Sequence, residues 1–155
     1  MTGKSGDHID KMMEVMEAAF DPQWGEAWNR RQLTDSLLMP HNRYRLIDAN
    51  GDEPAEAAPA AGFSLIKTIS GEEELLLIAI RPELRGSGLG RELLQKFIDD
   101  ARKRGAAKIF LEMRANNPAD KLYRSMGFEP IGRREQYYKA ANGTRIDAIT
   151  MALSL

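Results

Sequence analysis

Apolar residues recur at helical spacing near the start of the chain, at Ile9, Met12, Met13, Met16 and Ala19/Phe20, and this stripe predicts an amphipathic helix that turns away at Asp21-Pro22. A methionine stripe of this kind fills core space rather than holding a ligand. A second helix is expected over Glu26 to Leu38, stopping ahead of Pro40, whose ring disfavours helical backbone in the preceding residue. Tyr44 to Asp48 reads as a strand, and Asn50-Gly51 begins a break. The next stretch, DEPAEAAPAAG from Asp52 to Gly62, has no period and is expected to be a surface loop between strands rather than a domain boundary. Strands follow at Phe63–Ile69 and Glu74–Ile80, around Ser70-Gly71. The LLLIAI run of the second is apolar on both faces, as a central strand covered by helices on both sides requires.

Leu93, Leu94, Phe97, Ile98 and Ala101 then mark one face of a helix that starts near Gly88. Arg102, Lys103 and Arg104 complement its C-terminal dipole, and Gly105 is the stop signal. In the strand Ala107–Arg114, Ile109, Leu111 and Met113 point one way while Phe110 and Glu112 point the other. A short helix is expected over Pro118–Met126, closed by Gly127. Phe128–Tyr138 and Thr144–Leu153 should pair as a hairpin across a loop containing Asn142-Gly143. Helices and strands alternate through the middle and a hairpin closes the chain. That order predicts an α/β (α+β) fold: a mixed, mostly antiparallel central sheet of about six or seven strands, flanked by helices, in a single domain over 1–155.

Composition narrows the function classes. Hydrophobic residues make up 43% of 155 and charged residues 29%, with a net charge of -1, which describes a soluble globular domain with no general affinity for nucleic acid or an anionic membrane. No apolar run approaches the roughly 20 residues that span a bilayer, and the polar start MTGKSGDHID lacks a signal peptide's apolar core, so a cytoplasmic location is expected. Cysteine is absent, which excludes disulfides, thiolate metal sites and a thioester formed on the protein. The two histidines are His8, in a start expected to fray, and His41, so neither a metal centre nor a Ser-His-Asp triad is expected.

The densest chemical signal is RPELRGSGLGRELL, Arg81 to Leu94, with Gly86, Gly88 and Gly90 between a strand and a helix. Unpaired N–H groups at a helix start, with the dipole's roughly half positive charge, make an anion site, and glycines let the backbone approach the ligand. Arg85 and Arg91 add charge, so a diphosphate is the natural occupant. A P-loop needs Gly-Lys-Ser/Thr where Arg91-Glu92 stands, and a dinucleotide fingerprint needs glycine at position 91. Neither nucleotide family fits; a turn without a ligand remains the alternative.

The string Arg85-Gly86-Ser87-Gly88-Leu89-Gly90 resembles the Arg/Gln-x-x-Gly-x-Gly/Ala motif of the GCN5-related N-acetyltransferases, the GNAT superfamily, and Asn116-x-x-Ala119-x-x-Leu122-Tyr123-x-x-x-Gly127-Phe128 resembles its second signature. Within it the chain looks most like the RimI type, bacterial enzymes that acetylate protein N-termini, through LLLIAIRPELRGSGLGRELL, IFLEMR, LYRSMGF, RREQYY and DAITMAL. The resemblance implies a GNAT fold and acetyl-coenzyme A as cosubstrate, its pyrophosphate held by residues 85 to 91 (Arg85, Gly86, Ser87, Gly88, Leu89, Gly90 and Arg91) and its pantetheine by the main chain of Ile78, Ala79 and Ile80, with Asn116 in contact. It further implies Glu112 as general base and Tyr123 as acid or hydrogen-bond donor to the departing thiolate. Tyr137 and Tyr138 would face the acceptor, although neighbouring strand residues point to opposite faces, so at most one should meet it through its ring unless the backbone bulges. The implied acceptor is a protein N-terminus, the alanine of a small-subunit ribosomal protein. A small amine or antibiotic is the alternative substrate and a silent acyl-coenzyme A sensor the non-enzymatic one; monomer and dimer stay open.

Overall fold

The computed structural model describes residues 4–155. Helix α1 (Lys4–Ala19) is followed by a single 3-10 turn at Pro22–Trp24, then α2 (Arg30–Leu37) and the strands β1 (Asn42–Ile47), β2 (Gly62–Ile69) and β3 (Glu72–Ile80). A second 3-10 turn at Pro82–Leu84 leads to α3 (Leu89–Lys103), β4 (Lys108–Arg114), α4 (Asp120–Ser125) and the hairpin β5 (Glu129–Lys139) and β6 (Arg145–Ser154). The six strands form one sheet in the order β1-β2-β3-β4-β6-β5, antiparallel throughout except for the β3–β4 pair. The expected mixed, mostly antiparallel α/β architecture is what forms.

Two cores lie on opposite faces of the sheet. Leu94, Phe97, Ile98 and Ala101 of α3 pack on Ile109, Leu111 and Met113 of β4, together with Tyr123 and Phe128. Met12, Met13, Val15 and Met16 of α1 pack with Leu33 of α2 on Phe63 and Leu65 of β2 and Leu77 and Ala79 of β3. Removing Leu93 and Leu94 fully from water contributes about 1.5–3 kcal/mol each to holding α3 on the sheet. The alternation read from β4 therefore holds: Ile109, Leu111 and Met113 are buried under α3, and Phe110 and Glu112 take the other face.

A bulge breaks the regularity of β3. Leu65 pairs with Leu77 and Ile66 with Leu75, so Leu76 is the extra residue. Leu75 belongs to the α3 core, while Leu76, Leu77 and Ala79 belong to the α1 core. A bulge bends its strand and raises its twist, and β3 leaves β4 at this point: their pairs run only from Glu72↔Lys108 to Leu75↔Leu111. Each keeps its other neighbour, β3 pairing with β2 as far as Ile80 and β4 with β6 as far as Arg114. The sheet is thus split at one end between two anchored strands.

The element ends differ from the sequence expectations in informative ways. Helix α2 begins at Arg30, four residues later than expected, because Asn29 caps it: its side chain accepts from Gln32 N at 2.8 Å while Gln32 Oε1 accepts from Asn29 N at 2.8 Å. Glu26 consequently lies outside the helix. Helix α1 begins before His8, whose Nδ1 lies 2.7 Å from the Tyr44 hydroxyl. Short α4 spans Asp120–Ser125 rather than Pro118–Met126. The 52–62 loop is tied down: Lys11 donates to the carbonyls of Ala55 and Glu56, and Arg81 Nε donates to Ala60 O at 2.7 Å.

Where β3 still pairs with β4, Glu73 is 3% exposed and accepts two hydrogen bonds from Arg104 at the end of α3, at 2.8 and 2.6 Å. Removing only the cation strands a buried carboxylate. Arg104→Ala should cost about 3 kcal/mol in urea unfolding, and the double change Glu73→Leu with Arg104→Met should recover most of it.

Candidate active site

The split between β3 and β4 opens into a cleft of about 680 Å3. One wall is Ile78, Ala79 and Ile80 of β3, and one end is the glycine loop with Leu84, Arg85, Gly86, Gly88, Leu89, Gly90 and Arg91. Facing them are Asn117, Pro118, Ala119, Leu122 and Tyr123 around α4, and across the other end runs the segment that follows α1, with Trp24 and Glu26 beside Arg114.

At the glycine end the backbone is shaped for an anion. Gly88 is the N-cap of α3 at φ +88° and offers no side-chain acceptor, so the first amides of the helix have no side-chain cap. Gly86 has φ +81°, and a Cβ at either glycine would meet nothing within 4 Å, which leaves open space beside the loop. Gly90 differs: it is helical, and a Cβ there would stand 3.5 Å from Leu122 Cδ2 in ordinary contact. Arg91 donates to Ser125 Oγ at 2.7 Å, which ties α3 to α4. Arg85 reaches across to donate to Ala19 O at the end of α1, at 2.6 Å. Ser87 turns inward to its own loop, donating to Leu84 O at 2.6 Å, and does not line the cleft. Uncapped amides, the helix dipole and two arginines fit a diphosphate group.

The other end is organised by Arg114. This side chain is 10% exposed; its Nε donates to Glu26 Oε1 at 3.0 Å, its Nη1 donates to Asn116 Oδ1 at 2.8 Å, and its guanidinium lies over the Trp24 ring at 4.3 Å. Asn116 is therefore exposed and engaged with Arg114, and it is Asn117, whose Oδ1 accepts from Ala119 N, that lines the cleft. Tyr123 is 5% exposed, stacked edge-on against Phe128 at 5.8 Å. Burial, and then the charge of Glu26, raise its phenol well above the ordinary tyrosine value.

Glu112 shares a strand face with Arg114 but does not line the cleft itself. Its Oε2 lies 3.5 Å from Arg134 Nε on β5. Burial first, then the charges of Glu112 and Glu26, push the Tyr138 phenol up to about 12. The two adjacent tyrosines do not face opposite ways. Their rings meet edge-on at 5.2 Å, because β5 bulges between Arg134↔Ala148 and Tyr138↔Ile146. Asp147 pins that bulge, accepting from Gln136 N at 2.8 Å and from Arg133 Nε at 2.6 Å, while Gln136 sits at φ +53°. These donors, the Gln136 amide above all, hold the Asp147 carboxyl below the usual carboxylate range.

A model of the acetyltransferase (GNAT) family matches residues 9–128. The chain belongs to this family. Among curated GNAT relatives, the [ribosomal protein bS18]-alanine N-acetyltransferase of Escherichia coli (strain K12) is 43% identical over 96 residues, a stretch that spans 61% of this chain and 64% of that protein, less than two thirds of its length. The protein of the same name from Haemophilus ducreyi (strain 35000HP / ATCC 700724) is 36% identical over 124 residues, spanning 76% of this chain and 86% of the relative. In three dimensions the crystal structure of the ribosomal-protein-S18-alanine N-acetyltransferase from Escherichia coli matches with a TM-score of 0.78 at 28% identity, over 99% of this chain and 90% of that one. The resemblance to the RimI type read from the sequence is thus matched by relatives of that name. Among the described residues no cluster of His, Cys, Asp or Glu is arranged to hold a metal ion, and no helix is long and apolar enough to cross a membrane.

Trp24, Glu26, Arg114 and Asn117 were not among the residues the sequence singled out. The signals were present: Asn29-x-x-Gln32 reads as a capping box that releases Glu26 from the helix, and Arg114 ends β4 two residues after Glu112, on the same face. The loop geometry also separates the glycines. Gly88→Ala places a side chain at positive φ and should lose about 1 kcal/mol, whereas Gly90→Ala should be neutral or slightly stabilising, both read by thermal unfolding without ligand.

Proposed function

We propose that this protein, acting as one domain over 1–155, transfers the acetyl group of acetyl-coenzyme A to the N-terminal α-amino group of a protein in the cytoplasm. The alanine N-terminus of a small-subunit ribosomal protein is the acceptor suggested by the names of its relatives. The observation that carries this reading is convergence: the β3 backbone released at Leu76, the uncapped start of α3 and the buried hydroxyl-bearing Tyr123 all border one cleft.

In this reading Arg85 and Arg91 and the backbone of residues 86 to 90 hold the pyrophosphate, with Ser87 shaping the loop. The main chain of Ile78, Ala79 and Ile80 pairs with the extended arm as an added strand would. Bound acetyl-coenzyme A supplies an activated thioester. Asn116 contributes by fixing Arg114, and Asn117 stands nearer the ligand.

The residues divide the chemistry. Glu112 takes the acceptor's proton through water, since its carboxylate stands back from the cleft beside Arg134. An α-amine with a pKa of about 7.7 to 8.0 has a usable neutral fraction near pH 7, unlike a lysine near 10.4, so a modest base suffices. Tyr123 is held protonated by its burial and by Glu26, which suits a hydrogen-bond donor to the departing thiolate more than a group that surrenders its proton. Tyr137 and Tyr138, brought together by the β5 bulge, border the acceptor.

Acetylation assays should show turnover of an Ala-initiated peptide and none across a polyamine panel; turnover of the amines alone would overturn the reading in favour of a small-molecule acetyltransferase. Glu112→Gln and Tyr123→Phe should each lower kcat by about 100-fold with the acetyl-coenzyme A Kd unchanged. The pH profile carries a sign. Because the Tyr123 phenol is raised, it stays protonated past its usual range, so kcat/KM for the peptide should rise through the amine pKa near pH 8 and hold a plateau to about pH 10.

A further inference from the structure

One carboxylate in the cleft has been given only an indirect part so far, through its charge on Tyr123. Asp21, Glu26, Arg85, Arg91 and Arg114 are the charged residues that line it. Arg85 and Arg91 stand at the glycine end; Asp21 caps its 3-10 turn, Oδ1 accepting from Gln23 N at 2.9 Å, and has no cation paired with it to balance its charge among the described residues. Glu26 stands alone at the opposite end as an acid turned into the cavity. Its position is set from both sides: Gly25 at φ +64° ends the 3-10 turn, and the Asn29 cap starts α2, so Glu26 lies on a short segment between two fixed ends.

The carboxylate itself is immobilised and half used. Glu26 Oε1 accepts from Arg114 Nε at 3.0 Å, its side chain is 18% exposed, and Arg114 is in turn held by the Trp24 ring and by Asn116. Among the described residues no other donor reaches it, which leaves Oε2 able to accept from a ligand. Its charge contributes to raising the phenols of both Tyr123 and Tyr138.

Resting on the function proposed above, we infer that Glu26 receives the acceptor's N-terminal ammonium, Oε2 accepting one of its N–H donors while Arg114 positions the carboxylate through Oε1. An α-amine arrives mostly protonated near pH 7, so a site for it needs an acceptor for three N–H groups before any proton leaves. A lone carboxylate would also stabilise the ammonium against deprotonation. The Arg114 guanidinium makes the pair neutral overall, so Glu26 orients the amine by hydrogen bonding while adding little net charge to hold the proton on. The two ends of the cleft then match a two-ended complex, arginines for phosphate and a carboxylate for the amine.

The test is a binding cycle in the presence of coenzyme A, using an Ala-initiated peptide and the same peptide with propionyl in place of alanyl, which keeps the shape and lacks the amine. The wild-type protein should bind the amine form about tenfold more tightly than the propionyl form, and Glu26→Gln should bind both alike, with the coenzyme A Kd unchanged as the control on folding. In steady state the variant's effect should fall on the peptide KM, in contrast to the kcat effect of Glu112→Gln. Retained discrimination in Glu26→Gln, or an equal loss of affinity for both peptides, overturns the assignment. Wild-type protein that acetylates no N-terminal peptide overturns the proposed function itself and takes this assignment with it.

Discussion

The site depends on a strand pair that is prevented from continuing. Backbone N–H and C=O groups in a sheet must find partners, and a row of them left open in mid-sheet is costly unless something pairs with it. Here β3 and β4 run parallel from Glu72 to Leu75 and then part at the Leu76 bulge, while their outer neighbours hold each in place. Neither lip can relax to close the gap. The backbone of Leu76 to Ile80 is therefore presented along a slot, and the apolar cores on both faces pack behind its walls.

Everything polar about the cleft is arranged around that slot. The helix that follows β3 turns its uncapped start toward one end, because Gly86 and Gly88 adopt positive φ and the chain can reverse without side chains in the way. The segment that follows α1 arches over the other end, held by the stack of Trp24 on Arg114 and by the Arg114–Glu26 pair. One further contact joins the ends: Arg85, from the glycine loop, donates to the last carbonyl of α1. The glycine loop and the helix that leads into the segment bearing Trp24 and Glu26 are thus fastened to each other.

How much of this was legible depends on how local its cause is. Helix α3 and the alternation of β4 could be read because burial there follows period and little else, as Leu94, Phe97 and Ile109, Leu111, Met113 show. The extra residue at Leu76 left no mark, since an aliphatic run looks the same with or without a bulge. Glu26 was assigned to a helix because its neighbours are compatible with one; the reciprocal Asn29–Gln32 bonds decide otherwise. Asn116 matched a motif by position, but the turn places Asn117 on the cleft, a rotation that spacing alone does not express. Strict alternation puts Tyr137 and Tyr138 on opposite faces unless the backbone bulges, and nothing in the local sequence says that it does. The residue that overrules it, Asp147, lies on the next strand, eleven residues from Gln136.

That same Asp147 has a consequence for the outer margin of the sheet. β5 is an edge strand of eleven residues and exposed along most of its length, which is the geometry that invites a second chain to dock by backbone pairing. At its middle the amide of Gln136 is turned onto Asp147 and the backbone departs from strand geometry, so the row of free donors is interrupted. Arg133 and Arg134, directed to Asp147 and Glu112, add charge beside the break. A distortion that brings two tyrosine rings together also makes the longest open edge of the protein a poor template for fibril-like growth.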